Sequence, residues 1–420
     1  MALSSRPDVT PLSALAQQEV ARVAMLPQTR SASHWLREQE PLLAHWQMEM
    51  ARIPAPPFGE AVRGEWLAGK FRELGLSDVH RDEVGNVFGI DDGQNASFVA
   101  LSAHIDTVFP AGTPLNVRQQ GNRLYGPGVS DNGAGVTAML GIVAAIRAAG
   151  VRHPLPFLFI GNVGEEGEGD LRGMRHIFST PRWRDSISYN LVLDGAGAET
   201  VVAEALGSRR FEVIVRGPGG HSWSDFGAPN PIVVLARAIE TFTAVPVSAS
   251  PKTTFNIGTI RGGTSVNSIP ESASMRVDIR STSMGEMERL EQALRQALER
   301  AVQEETLATE KRGPSPRRPF GLSYELVEIG NRPAGELDAS ARMLQVIRAV
   351  DAQLGNVAQI QRASTDANIP LSLGRQAIAI GGGGSGGGAH TLQEWFDCSG
   401  RELGLKRILL TLLTLAEAGS

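Results

Sequence analysis

The chain has 420 residues, of which 42% are hydrophobic and 20% charged, and its formal net charge is −5. That balance excludes a disordered chain, and with no block of like charge it argues against nucleic acid or an anionic membrane as partner. The single cysteine, Cys398, rules out a disulfide framework within the chain.

The length predicts two or three domains. The start, MALSSRPDVTPLSALAQQEVARV, lacks a cationic stretch followed by an apolar run. It reads as a polar, partly helical segment, and a cytoplasmic location is expected. Helical periodicity covers residues 13–52, with SHWLREQEPLLAHWQMEMARI as one long amphipathic helix. PAPPFGE is a loop, and residues 59–75 are helical again. VHRDEVGNVFGID and SFVALSAHID are strand candidates, and DNGAGVTAMLGIVAAIRAAG is a helix. PLPFLFIGNV and YNLVLD are apolar strands that each run into a glycine-rich turn. Continuous apolar strands alternating with helices predict an α/β fold with a mostly parallel sheet covered on both faces.

The pattern changes near residue 207. RFEVIVRG, TTFNIGTIRGG, ASMRVDIRS and SYELVEIG alternate polar and apolar residues, as half-exposed strands do. Two helices, NPIVVLARAIETFTAV and SMGEMERLEQALRQALERAVQEE, fall between them, giving the order β-α-β-β-α-β. ATEKRGPSPRRPFG reads as a surface loop. The α/β pattern then returns with ELDASARMLQVIRAVDAQLG, QAIAIGGG and ELGLKRILLTLLTLAEAG. Residues 207–330 are therefore expected as an inserted domain, and residues 1–206 with 331–420 as one discontinuous domain. No internal repeat is visible.

Polar residues at the predicted strand and loop ends form a short series: His104, Asp106, Asp131, Glu165, Glu166, Asp194 and His390. Each has a bland alternative. Asp131 before a helix suits an N-cap, Asp194 before Gly195 suits a turn, and His390 suits a loop. Two adjacent glutamates at the end of a buried strand, however, repel each other unless a cation is near. Histidines and carboxylates without a thiolate make a hard-to-borderline site for zinc, manganese or cobalt, open and catalytic rather than structural. The ligands suffice for two ions sharing one carboxylate, about 3.5–4 Å apart. In a strand, residues two apart point the same way, so Asp106 can orient His104.

In order along the chain, HID, GPGVSDNGAG, GEEGEGDLRG, LVLDG, GPGGHSW and GGGGSGGGAHTLQEW resemble the successive motifs of the M20 family of dinuclear zinc peptidases and deacylases. The resemblance implies a zinc-exopeptidase-like catalytic domain and a ferredoxin-like lid that forms a homodimer and closes by hinges near residues 207 and 330. It implies that Asp131 bridges two metals, with His104 and Asp194 completing one and Glu166 and His390 the other. Glu165 becomes the general base and Asp106 the residue that orients His104. In the lid, His221 is implied to stabilise the oxyanion of a partner's site, and Asn267 and Arg280 to hold substrate. Asp366 and Asn368 in STDANIP resemble a substrate-side loop, and Cys398 is expected to be inert packing. The implied activity is cleavage of a short peptide, with an N-acyl amino acid as the alternative substrate. A non-catalytic relative would have lost a ligand or Glu165, and all are present. A nucleotide binder is disfavoured, because no GxGxxG follows the first strand and no GxxxxGK[ST] exists.

Overall fold

The computed structural model describes residues 12–91, 97–312 and 321–417. Contacts divide the chain into two compact units, one of Met1–Ala205 with Gly335–Ser420 and one of Leu206–Ala334. The last strand of the smaller unit, Ser323–Arg332, runs past residue 330, where the sequence placed the boundary.

The larger unit is built on a nine-stranded mixed sheet. Its centre is four mutually parallel strands in the order Phe157–Asn162, Phe98–His104, Ile187–Leu193 and Gln376–Ile380. Parallel pairing is confined to these four and to the outer pair Gln359–Ala363 with Thr200–Ala205; the remaining neighbours are antiparallel. The central strands are apolar throughout because both faces are covered. Alternation sorts their side chains. Val99, Leu101 and Ala103 join Phe157, Phe159, Leu191 and Leu193 under the helices Gly133–Ala149, Arg342–Leu354 and Arg401–Glu417. Ala100, Leu158 and Ile160 face the opposite layer with Met174, Ile177 and Trp183.

Two sequence expectations change. VHRDEVGNVFGID is a hairpin of Ser77–Arg81 and Val87–Asp91, not one strand. Asp82 turns the chain by accepting from the amides of Val84, Gly85 and Asn86, and Gly85 takes φ +102°. The N-terminal helical run is three helices, Ala14–Met25, Pro27–Glu38 and Glu40–Ala51. Pro27 and Pro41 stand in the first turns of the second and third. A proline there is tolerated, but it cannot continue a preceding helix. These helices pack over Gly133–Ala149, Arg342–Leu354 and Arg401–Glu417, so the segment forms an outer layer of the core.

The smaller unit is a four-stranded antiparallel sheet in the order Thr253–Gly262, Ser272–Ser281, Gly207–Arg216 and Ser323–Arg332. The helices Pro231–Thr243 and Met284–Arg312 pack on one face, against Phe211, Val213, Val215, Met275, Val277 and Ile279. The second helix takes in the ATEKR that the sequence assigned to a loop. Arg312 reaches back one face to Glu305 (2.8 Å), and Thr309 is buried between them. The rest of that loop, residues 313–320, lies outside the described residues, as do residues 1–11. Among the described residues, no helix is long and apolar enough to cross a membrane.

Candidate metal centre

Four parallel strands end side by side, and each passes a polar residue to the same edge. This is where an open α/β sheet holds ligands. His104 is the last residue of its strand, and Asp194 directly follows Leu193. Glu165 and Glu166 follow Asn162 after a turn in which Gly164 takes φ +67°. The strand ending at Ile380 enters the glycine-rich segment that leads to His390. Asp131 comes from the opposite direction, at the start of the helix Gly133–Ala149. The cap of that helix is Asn132, whose side-chain oxygen accepts from Gly135 N, and this leaves the Asp131 carboxylate for other work.

Three overlapping groups of ligand atoms result, each with all atoms within 4.8 Å of one another: His104, Asp131 and Asp194; Asp131, Glu166 and His390; and His104, Glu165 and Glu166. Asp131 belongs to the first two. Its Oδ2 lies 3.1 Å from His390 Nε2, which is also 2.9 Å from Glu166 Oε1. Its Oδ1 lies 3.2 Å from His104 Nε2, yet it is buried and takes part in no hydrogen bond. His104 Nδ1 faces two acceptors, the Asp106 carbonyl at 3.2 Å and the Asp106 carboxylate at 3.6 Å. A neutral His104 with its proton on Nδ1 therefore turns the Nε2 lone pair towards carboxylate oxygens, an arrangement that a cation satisfies. The donor set fits two divalent ions that share Asp131.

Asp106 does more than the sequence suggested. Its Oδ1 accepts from Glu165 N (3.0 Å) and its Oδ2 from Glu166 N (2.8 Å), so one buried carboxylate holds both glutamates as well as the imidazole. Further supports were invisible in the sequence. Asn132 brackets Asp194, donating to Leu193 O (2.8 Å) and accepting from Gly195 N (3.1 Å). The buried guanidinium of Arg63 donates to the carbonyl of Ile105, between His104 and Asp106, at 2.8 Å. Gln47, from the third N-terminal helix, donates to Val129 O and is held in turn by Arg401 (2.6 Å). Asp366 and Asn368 are buried rather than lining an open face: Asp366 accepts from Asn162 (2.6 Å), and Asn368 accepts from Thr365 N. Cys398 is buried, with its thiol pushed up to about 12 chiefly by burial, as inert packing requires.

Charge is unbalanced at this edge. Burial lowers the basicity of His104, but the nearby carboxylates of Asp106, Asp131 and Asp194 outweigh it and raise the imidazole well above its ordinary value. His390 rises to about 9, first through its hydrogen bond to Asp131. Burial raises Glu166, and lifts Asp366 and Glu394 to about 7. All these folded-state values exceed the unfolded ones, so each contribution is complete below the unfolded value and is lost as pH rises through the folded one. For Asp366 and Glu394 that window runs from about 4 to 7, and for His390 from 6.5 to about 9. The melting temperature of chelator-treated protein is therefore expected to fall between pH 5 and 9. Added zinc should restore it, and by more at the higher pH, because cations displace protons from these ligands. Calorimetry across that range with and without EDTA checks this; a flat metal-free profile would contradict it.

The three expected substrate-side residues lie in the smaller unit. His221 is exposed, and its Nδ1 accepts from the amides of Trp223 (3.2 Å) and Ser224 (3.4 Å), which places its proton on Nε2. Asn267 is its neighbour across the short ribbon that pairs His221 with Ser268, and its carbonyl accepts from Ser222 N. Arg280 bonds Asp278 at 2.7 Å and is registered with Ser208. That is eight residues along the strand from Ser272, the end nearest the His221 ribbon, or roughly 26 Å.

Comparison with known proteins adds three findings. The family model described as peptidase family M20/M25/M40 matches residues 100–414. A protein of Ajellomyces capsulatus named probable carboxypeptidase is 28% identical over 240 residues, which cover 53% of this chain and 54% of that protein. A second so named, from Aspergillus clavatus, is 31% identical over 203 residues, covering 43% and 44%. The chain thus spans about half the length of the curated relatives it matches. Among solved structures, aminopeptidase PepT from Bacillus cereus has a TM-score of 0.70 at 20% identity, covering 90% of this chain and 99% of that one. The dipeptidase Dug1p from Saccharomyces cerevisiae has a TM-score of 0.67 at 13% identity, covering 93% and 99%. At these identities the likeness is one of fold.

Proposed function

The chain belongs to peptidase family M20/M25/M40, and from that premise we propose that it is a metal-dependent amide hydrolase acting as an exopeptidase on short peptides. The observation that carries this reading is the shared position of Asp131 in two ligand groups, with its buried Oδ1 left without a hydrogen bond. His104 and Asp194 hold one ion with Asp131, and Glu166 and His390 hold the other. Zinc suits this set, with cobalt or manganese as substitutes. When bound, the pair of ions supplies Lewis acidity and lowers the pKa of water towards neutrality. The remaining work falls to side chains. Glu165 accepts the proton of the attacking water and passes it to the leaving nitrogen. Asp106 keeps His104 in one tautomer and both glutamates in place.

The Nε2–H of His221 donates to the carbonyl oxygen as it gains charge, while Asn267 and Arg280 hold the polar ends of the substrate. Arg280 lies roughly 26 Å along its strand from Ser272, the end nearest the His221 ribbon, whereas an extended tripeptide spans about 10 Å. That separation supports the reading, implied by the family resemblance, that one substrate takes His221 from a second copy and that the active form is a homodimer joined through the smaller unit. His221→Ala is expected to lower kcat by about 10²–10³ with metal content unchanged. Mixing that variant with Glu165→Ala protomers should recover activity, since mixed dimers regain one complete site. Absence of recovery in mixtures that demonstrably exchange subunits would refute the shared site.

The substrate test is a hydrolysis screen of di- and tripeptides against N-acetyl and N-succinyl amino acids, with zinc, cobalt and manganese each supplied. Peptide turnover supports the exopeptidase. Turnover of the N-acyl compounds alone would replace it with a deacylase, and none at all with any metal would remove the hydrolase reading.

A further inference from the structure

His390 presents a mechanical problem. Its side chain is 54% exposed, it follows eight residues of glycine and serine and one alanine, and it lies outside the regular strands and helices. Part of this run, Ser385–Gly387, pairs with Trp395–Asp397, but its glycines carry no side chains that could aim the imidazole themselves. Something must tie the segment to the ligands it serves, and a buried carboxylate four residues later is placed to do so.

Glu394 is fully buried. Its Oε1 accepts from Ser130 N (2.7 Å) and Asp131 N (2.8 Å), and its Oε2 accepts from Gly128 N (2.8 Å). Its own carbonyl accepts from Gly126 N (2.9 Å). Four contacts from one residue thus fasten the chain just before the Asp131 side chain. On the other side, Glu394 N donates to Thr391 O (3.2 Å) and Thr391 N to Gly388 O (3.0 Å), which closes the turn that displays His390. The next residue, Trp395, pairs with Tyr125 in a four-stranded antiparallel sheet that continues the same attachment. A carboxylate is the side chain this geometry requires. It offers two acceptor oxygens and no donor to three converging N–H groups, whereas a glutamine would point an amide N–H₂ at one of them.

We propose that Glu394 is a positioning residue for the metal centre, fixing the backbone of Asp131 against the His390 turn so that the two side chains meet one ion. This rests on the reading of Asp131 and His390 as ligands. It adds that their relative placement is set before any metal arrives, by a carboxylate that touches neither metal nor substrate.

The test uses the full chain and cobalt alone, titrated into metal-free protein and followed by its visible absorption, with thermal melts of the metal-free proteins alongside. Wild type should take up two equivalents. Glu394→Gln should bind cobalt at least tenfold more weakly (about 1.4 kcal/mol) at the weaker site, with a changed absorption envelope while folded. Wild-type affinity and spectrum in a Glu394→Gln protein with a lowered melting temperature would overturn the proposal and leave Glu394 a plain fold cap. Failure of wild type itself to bind cobalt would overturn the ligand reading, and this inference with it. Should the variant not fold, hydrogen exchange in wild type decides. The amides of Gly128, Ser130 and Asp131 should be equally protected with and without cobalt, and protection that appears only on loading would overturn pre-positioning.

Discussion

Glutamine in place of Glu165 is expected to lower kcat by about 10²–10⁴, the range for loss of a general base, while two metal ions stay bound to each chain. The backbone at this position is fixed from below, since Glu165 N donates to Asp106 Oδ1 at 3.0 Å. The substitution therefore leaves the loop in place and removes only the carboxylate's capacity to take a proton. Its neighbour Glu166 provides the contrast. Glu166 Oε1 meets His390 Nε2 at 2.9 Å within a ligand group that includes Asp131. Glu166→Gln should lose metal as well as rate. One competing arrangement is geometrically available, because Glu165 also groups with His104 and Glu166. If Glu165 were a ligand, its glutamine variant would lose an ion. Elemental analysis of dialysed protein, paired with steady-state kinetics on the best substrate, separates the two: metal near two per chain with little turnover marks a base, and turnover near wild type would remove Glu165 from the chemistry.

What could be read from the sequence follows a physical line. Strands of a parallel sheet announce themselves as continuous apolar runs, and the first polar residue after each run lies at the ligand-binding edge. His104, Asp194 and the Glu165–Glu166 pair stand out as candidates for that reason, each with a bland alternative of its own. Asp131 is ambiguous in sequence, since a helix N-cap explains it equally well; only the structure hands the cap to Asn132 and frees the acid. Glu394 gives no local signal at all. An acid in TLQEW looks like a solvated loop residue, and its three amide partners lie more than 260 residues earlier. Gln47 hides in the same way, inside a helical pattern in which a glutamine counts as surface.

The split of the N-terminal run into three helices was legible in principle. Pro27 and Pro41 mark both breaks, but the apolar periodicity runs on across them, and that periodicity was the stronger signal. The smaller unit fared better because its alternation has period two and its order is that of a known unit. What sequence could not convey there is distance. His221 is implied to serve a partner's site, and the register sets Arg280 eight residues along its strand from Ser272, the end nearest the His221 ribbon.

Asparagine in place of Asp131 is expected to have the widest effect of any single change at this centre. Asp131 is the one residue common to both ligand groups of the proposed pair, so its loss weakens both ions at once instead of one. Metal content after dialysis should fall below one per chain, and kcat should drop by at least about 10³, more than the loss of one oxyanion donor costs. The helix that follows should survive. Its cap is the Asn132 side chain, and Asn132 keeps its bonds to Gly135 N, Leu193 O and Gly195 N. Far-UV circular dichroism of the metal-free variant should therefore match wild type. Asn132→Ala offers the converse, with a cap loss of about 1 kcal/mol and looser support for Asp194. The two variants divide the sequence's original ambiguity: if Asp131→Asn melts the helix and keeps its metal, Asp131 is a structural residue and the two-ion centre is wrong.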